Sequence, residues 1–413
     1  MQLKGMTFCF DVPDDWESTH RPGHVIAASP TPVLGFAPNA VLRESRIEDT
    51  GDALAAVSQA RLRASENLLP GTLPLGVQAL VRHDVEHRRL WFLLPLQLEA
   101  LHGNVLSVLG MQEIAVVDEV VAELTVTVPL VGWSPGDGYH AMLDTLRPLP
   151  SGERMKPLGM TEVAAAELDE WATARDGVPR EQLSGAPPTE LVLQAPPIVL
   201  SNQTAEHFLA NAANRVFAPV TGEVRQELAA GGIVDDTGNL TPDGFWYVDH
   251  ILSGQSRKIS FAGPGRNAVR FWFTDPSAVF VIPHPEQEGH SLLGFCPSND
   301  LFRLVLSWAG LTLSWPMEVR LELEEGVFRA KADHGVVPEG HDGDAAEFLT
   351  EDWQLTSLSG PNGSILTWVH TRTRGDAMVR DGSRLDNTIL IEQDPSEPFW
   401  WTVIEAMVKE GEE

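Results

Sequence analysis

Apolar and polar residues alternate from the start of the chain: residues 6–12 predict a strand that stops at Pro13-Asp14-Asp15-Trp16, and residues 33–42 predict a second. Between 52 and 69 the period lengthens. Leu54, Val57, Ala60, Leu62 and Leu68 recur near the helical spacing of about 3.6 residues, Asp52 can cap the N-terminus, and Pro70-Gly71 ends the run. Apolar or alternating runs return at 76–83, 89–98, 104–112 and 123–130, and 114–122 reads as a short helix between the last two. One long helix set against mostly antiparallel strands makes this stretch, 1–132, an α+β domain whose helix covers one sheet face.

Proline and glycine then break the pattern. Trp133-Ser134-Pro135-Gly136-Asp137-Gly138, Pro148, Pro150, Pro157, Pro187-Pro188 and Pro196-Pro197 mark 133–197 as a linker or ordered bridge, with a short helix at 161–175 capped by Thr161. Beyond it, helices are expected at 204–217, 222–230 and, from the Thr241-Pro242 start, to 252. Strands are expected at 257–262, 268–274 and 278–283, and a helix capped by Ser298 at 299–310. The same alternation predicts a hairpin of 319–323 with 327–332 around Glu324-Glu325-Gly326, then strands at 353–358, 364–371, 377–380 and 388–392. A final helix starts at Ser396.

Two of these stretches resemble each other. FAGPGRNAVRFWFT (261–274) and LSGPNGSILTWVHT (358–371) both place a Gly-Pro turn before a strand that ends in Thr, with Gly263 and Gly360 separated by 97 residues. Each meander leads to an apolar helix, so 198–310 and 311–413 read as two sheet-plus-helix subdomains in quasi-repeat.

Composition narrows the function classes. With 58 Asp and Glu against 29 Lys and Arg the formal net charge is −29, which opposes generic binding to nucleic acid or anionic membrane. The helix order before residue 252 resembles a winged helix, yet 220–252 holds Arg225 against Glu223, Glu227, Asp235, Asp236, Asp243 and Asp249, so DNA is not the expected partner. Two cysteines, Cys9 and Cys296, give no disulfide framework or Cys-rich zinc site and are expected to be buried. The apolar run at 90–98 is interrupted by Pro95 and Gln97 and is too short for a bilayer; with no signal-like start, a cytoplasmic protein is expected.

FDVPDDW (10–16), FAPNAV (36–41) and ELTVTVP (123–129), spaced around one long helix and a β-meander, resemble the Mog1/PsbP-like group over about the first 130 residues. ELAAGGIVDDTGNLTP (227–242), followed by RKISFAGPGRNAVRFWFTDPSAVFVIPHP (257–285), resembles the EspG family of type VII secretion chaperones of actinobacteria. The chain departs from that family in its additional N-terminal domain. Together the resemblances imply a secretion-associated chaperone or adaptor that holds a protein partner, such as an apolar helical secretion substrate, without cofactor or membrane insertion. The alternatives are a ligand- or polypeptide-binding scaffold unrelated to secretion and an enzyme with an unrecognised site.

No motif fixes a reaction. His83-Asp84-Val85-Glu86-His87 has a spacing that would pair two imidazoles on a helix, making His83 and His87 the metal candidate; strand-like flanks make it a solvated hairpin tip instead. In Gly289-His290-Ser291-Leu292-Leu293-Gly294 the second Gly comes one place late for a nucleophile elbow. Gly263-Pro264-Gly265-Arg266 leads into a strand, so no helix N-terminus faces a phosphate. Acidic groups at Glu322, Glu324, Glu325 and at Asp342, Asp344, Glu347 lack calcium-loop spacing. Protein binding remains, with Phe271, Trp272 and Phe273 on one strand and Trp400 and Trp401 on the terminal helix as candidate anchors.

Overall fold

The computed structural model describes all residues but 22, 48–52, 69–71, 98–104, 131–137, 156–171, 174–178, 181–195, 215–218, 262–268, 274–276, 298–299, 302–303, 305–318, 336–342, 360–364, 372–374, 382–386 and 394–413. It divides into two compact units, one within Met1–Glu190 and one made of Leu191–Val305 and Met317–Glu413. Both units are α+β with antiparallel sheets.

The first unit contains β1 (Gln2–Lys4), β2 (Phe8–Asp11), β3 (Glu17–Arg21), β4 (His24–Ala28), β5 (Asn39–Arg46), α1 (Ala53–Leu68), β6 (Leu73–Arg82), β7 (Val85–Gln97), β8 (Val105–Val117), β9 (Val120–Pro129), α2 (Tyr139–Asp144) and β10 (Arg147–Pro148). A minor pair, β11 (Ala172–Thr173) and β12 (Pro179–Arg180), follows. Seven strands form one sheet in the order β3-β4-β5-β9-β8-β7-β6. On one face α1 packs Val57 and Leu62 onto Val77, Leu90, Phe92, Ile114 and Val121. The opposite face receives α2, which also touches β2 of the small β1-β2-β10 sheet.

Covering both faces explains one departure from the expected elements. The helix read at 114–122 is instead the β8-β9 hairpin, with Asp118 and Glu119 as its two-residue turn at φ of 50° and 64°. A strand buried on both sides loses polar alternation and reads as a continuous apolar run, and Val116, Val117, Val120 and Val121 favour extended backbone. The reverse failure hid β3: all five of its side chains are exposed, so its polar sequence gave no alternation, as suits an edge strand. The bridge expected at 133–197 supplies α2 and β10 to the first unit, Arg147 of β10 pairing with Cys9 of β2.

The second unit contains β13 (Ile198–Ser201), α3 (Asn202–Ala213), α4 (Gly222–Ala230), α5 (Pro242–Ser253), β14 (Gln255–Phe261), β15 (Val269–Phe273), β16 (Ser277–Pro283), β17 (His290–Pro297), β18 (Val319–Glu324), α6 (Glu325–His334), α7 (Gly343–Thr350), β19 (Trp353–Ser359), β20 (Ile365–Thr371), β21 (Gly375–Asp381) and β22 (Thr388–Gln393). They build one ten-stranded sheet, β13-β17-β16-β15-β14-β19-β20-β21-β22-β18. Phe208 and Leu209 of α3 and Tyr247, Val248 and Ile251 of α5 pack on Trp272, Val279, Val281 and Leu293. Phe328 of α6 and Phe348 and Leu349 of α7 pack on Leu323, Val369, Ala377 and Ile391.

The expected strand at 327–332 is a correction: those residues lie in α6. Phe328 alone is fully covered among them, Lys331 and His334 suit the C-terminal end of a helix dipole, and Gly335 at φ 66° closes the helix through its N–H to Lys331 O, 2.9 Å. The glycine-flanked Ser291 lies on β17, paired with Leu200 and Pro283, and donates its hydroxyl to Asn202 Oδ1 at 2.7 Å. That is a strand position, not an elbow. The helices expected at 161–175 and 299–310, the turn at 263–266 and the terminal helix fall wholly or mostly outside the described residues.

Candidate functional site

Two clusters carry unusual chemistry, one hidden and one displayed. In the first unit, His87, Arg89 and Trp91 alternate on β7 and so share the face that α2 covers; across from Arg89 stands Glu113 of β8. His87 Nδ1 lies 3.0 Å from Glu113 Oε1, and Arg89 Nε donates to Glu113 Oε2 at 2.5 Å. The same guanidinium reaches α2, with Nη2 donating to Asp144 Oδ1 at 2.7 Å and Nη1 lying 3.2 Å from His140 Nε2. Arg82 also bonds Asp144, and Trp91 stacks with His140 at a ring separation of 6.3 Å.

Arginine N–H groups only donate, so His140 Nε2 accepts and the imidazole is neutral. Burial, and then the Arg89 charge, hold His140 below its ordinary pKa. For Asp144 burial works against ionisation, but hydrogen bonds and charge from Arg89 and Arg82 prevail and hold its carboxyl below the usual range. A histidine oriented by a carboxylate is the geometry of a general base. Here His87 and Glu113 are both 0% exposed, so no substrate atom reaches them. The arrangement is a charged clasp between α2 and the sheet. On the opposite face Arg61 of α1 bonds Glu123 of β9 in the same manner, with Gln112 Nε2 donating to Glu123 at 3.3 Å.

The hairpin tip expected at 83–87 is present, but the expected solvation is corrected for His87. His83 and Asp84, at φ of 49° and 60°, form the exposed turn between β6 and β7, whereas His87 is buried two residues into β7. The hairpin is legible in the sequence, but the burial of His87 is not, because its covering helix comes from beyond residue 132. Among the described residues no group of three or more His, Cys, Asp or Glu side chains is placed to hold a metal. Cys9 and Cys296 are buried free thiols, each with its pKa raised by burial.

The displayed cluster lies on α5. Its start is held firmly: Asp235 Oδ1 accepts from Thr237 N at 2.8 Å and Asn239 N at 3.0 Å, shaping the turn that returns to Thr241. Thr241 Oγ1 accepts from Gly244 N at 3.0 Å and donates to Gly232 O at 2.6 Å. Glycine is required at 244, where a Cβ would meet Ile233 O at 2.0 Å. This close approach seats Tyr247, Val248 and Ile251 inward, and burial pushes the Tyr247 phenol up to about 12.

The turn of the helix leaves Phe245 56% and Trp246 36% exposed. Trp246 is nevertheless fixed, its ring 3.8 Å from that of His250, 5.0 Å from Phe295 and 5.3 Å from Tyr247. His250 Nδ1 donates to Trp246 O at 2.8 Å, which locks the stack. Asp243 and Asp249, both exposed, stand one helical turn to either side of Trp246.

The anchors expected from sequence are placed differently. Phe271 is 0% and Trp272 8% exposed, both in the core of the second unit, so neither ring offers a face to a partner. Phe273 lies on β15, paired with Ala278 and Gln255; Trp400 and Trp401 are outside the described residues. The sequence does not mark Phe245 and Trp246 as a surface pair, because the stretch Gly244–Leu252 is apolar almost throughout and reads as a core helix; the usable signal is the run of three rings Phe245-Trp246-Tyr247, which spans about 200° of the helix and cannot all face inward.

No protein-family model matches the chain, and no curated protein does. Among solved structures, the cyanobacterial PsbP protein of Synechocystis sp. PCC 6803 is similar at 11% identity over 34% of this chain and 86% of its own, with a TM-score of 0.27. LpqN, involved in cell envelope biogenesis of Mycobacterium tuberculosis, is similar at 15% identity over 35% of this chain and 83% of its own, with a TM-score of 0.24. A protein of unknown function from Pseudomonas aeruginosa, described as a putative regulator, is 23% identical over 35% of this chain and 92% of its own, with a TM-score of 0.23. None of these three is an EspG protein. Among the described residues no helix is long and apolar enough to cross a membrane.

Proposed function

We propose that the chain is a non-enzymatic protein-binding adaptor of the cytoplasm, a secretion-associated chaperone in the sense that a resemblance of residues 227–285 to the EspG family would imply. The observation that carries the binding reading is the exposed Phe245–Trp246 pair on a helix whose position is fixed at its cap and inner face. An exposed tryptophan already held in one orientation loses little freedom on binding, and such rings dominate interface energetics. The sealed His87–Glu113 pair favours the non-enzymatic reading, since this histidine–carboxylate contact is closed to substrate.

The quasi-repeat belongs to the same proposal. In each half of the second unit an outer strand and helices precede a four-stranded meander whose last strand returns to that outer strand. At the junction Ser260 pairs with Ser357, and Phe261↔Thr356 mirrors Ile259↔Leu358. Residues 260 and 357 are 97 apart, the separation of Gly263 and Gly360, which supports a two-fold relation through that pair.

The test is retention of partners from the native cell by wild-type chain and by Phe245→Ser. A protein held by the first and lost by the second, at unchanged melting temperature, supports the reading. Equal retention by both, or turnover of a small molecule by the isolated chain, contradicts it.

A further inference from the structure

The charge around α5 narrows what the aromatic pair can hold. Phe245 and Trp246 stand between Asp243 and Asp249 on one helix, and 220–254 contains six carboxylates against the single Arg225. The whole chain carries a net charge of −29. A surface that is apolar at its centre and acidic at its rim complements a segment with the opposite rim. It repels phosphate, anionic lipid and a second copy of the same acidic chain. Resting on the protein-binding reading above, we infer that α5 docks an amphipathic polypeptide segment whose apolar side chains are flanked by Lys or Arg.

The apolar part of such a segment covers Phe245 and the outer face of Trp246, which His250, Tyr247 and Phe295 hold from behind. Its cations lie near Asp243 and Asp249. The rings then carry most of the affinity, and the carboxylates carry partner choice and association rate.

The test uses the full-length chain and three synthetic helical peptides: one with a leucine stripe flanked by lysines, one with those lysines replaced by glutamates, and one with the lysines kept and the leucines replaced by serine. Titration calorimetry is expected to detect the first peptide and to find the other two weaker by about tenfold or more. Affinity for the first should fall about tenfold between low and high salt. Trp246→Ser should cost about thirtyfold, and Asp243→Asn with Asp249→Asn should narrow the gap between the lysine and glutamate peptides.

If the lysine and glutamate peptides bind equally, and Trp246→Ser weakens both, the binding surface stands and its basic partner does not. Binding of the serine peptide as tight as that of the leucine peptide, or binding indifferent to Trp246→Ser, overturns the inference because the contact is then charge alone. Failure of the first peptide to bind also overturns it. Self-association abolished by Phe245→Ser would assign the face to a second copy instead.

Discussion

Both units rest a helix on an antiparallel sheet, but they put their chemistry on opposite sides of it. Under α2 of the first unit the sheet presents His87, Arg89 and Glu113, and the helix answers with His140 and Asp144, so the charged groups face one another across the contact. Under α5 of the second unit the contact is apolar, and large rings are left over on the outside. A buried charge cluster fixes one position for a six-residue helix that has little apolar surface of its own, Met142 and Leu143 being its buried residues. An apolar inner face of Tyr247, Val248 and Ile251 already fixes α5, which frees its outer residues for contact with another molecule.

Arg89→Ala should give the largest effect. It leaves Glu113 and Asp144 facing each other's neighbourhood without their shared cation, and removing one partner of a buried ionic group costs about 3–5 kcal/mol. Hydrogen exchange on the full chain should show the loss in β7, β8 and α2 while α5 stays protected; equal loss in both units would break the contrast. Arg89→Lys keeps the charge but not the fork that reaches Glu113, Asp144 and His140 together, and should fall between.

Glu44→Ala comes next. This buried carboxylate of β5 accepts from Met6 N at 2.5 Å and from Thr7 N and Phe8 N at 2.7 Å, holding the turn that leads into β2. Orphaning those amides should cost about 2–3 kcal/mol, read as faster exchange at residues 6–11.

Acid should separate the units more gently. His140 is held below its ordinary value in the folded chain, so the unfolded chain takes up a proton first, and stability falls as pH drops below about 6.5. Asp144 is also depressed, so its contribution is present above about pH 4 and is lost as pH falls further through its folded value. His140→Gln should remove the first of these two steps in a pH series of chemical denaturation; an unchanged step would place the titration elsewhere.

The smallest stability effect is expected at the displayed site. Phe245→Ser should change unfolding free energy by less than about 0.5 kcal/mol, because the ring is mostly outside. A loss of several kcal/mol would make Phe245 a packing residue and erase the difference between the two helices.

What the chain disclosed in advance follows from where each signal lives. The helix over Ala53–Leu68 and the Thr241-Pro242 start of α5 were legible because periodicity and caps are local. The β8-β9 hairpin misread as helix, and α6 misread as strand, depend on which faces later elements cover. The buried clasp joins β7 and β8 to a helix some fifty residues downstream, which no local pattern announces. In the second unit Phe271-Trp272-Phe273 reads as an anchor because a strand puts its rings on both faces, yet Phe271 and Trp272, on opposite faces of β15, are both buried, while α5 has only its inner face covered.

Hydrogen exchange of the full-length chain, with and without the leucine–lysine peptide, decides whether α5 is the binding face proposed for it. Slowed exchange is expected within Pro242–Ser253 and its immediate neighbours, and none in Trp246→Ser. Protection centred on β7, β8 and α2, or on any surface that leaves α5 unchanged, would contradict it.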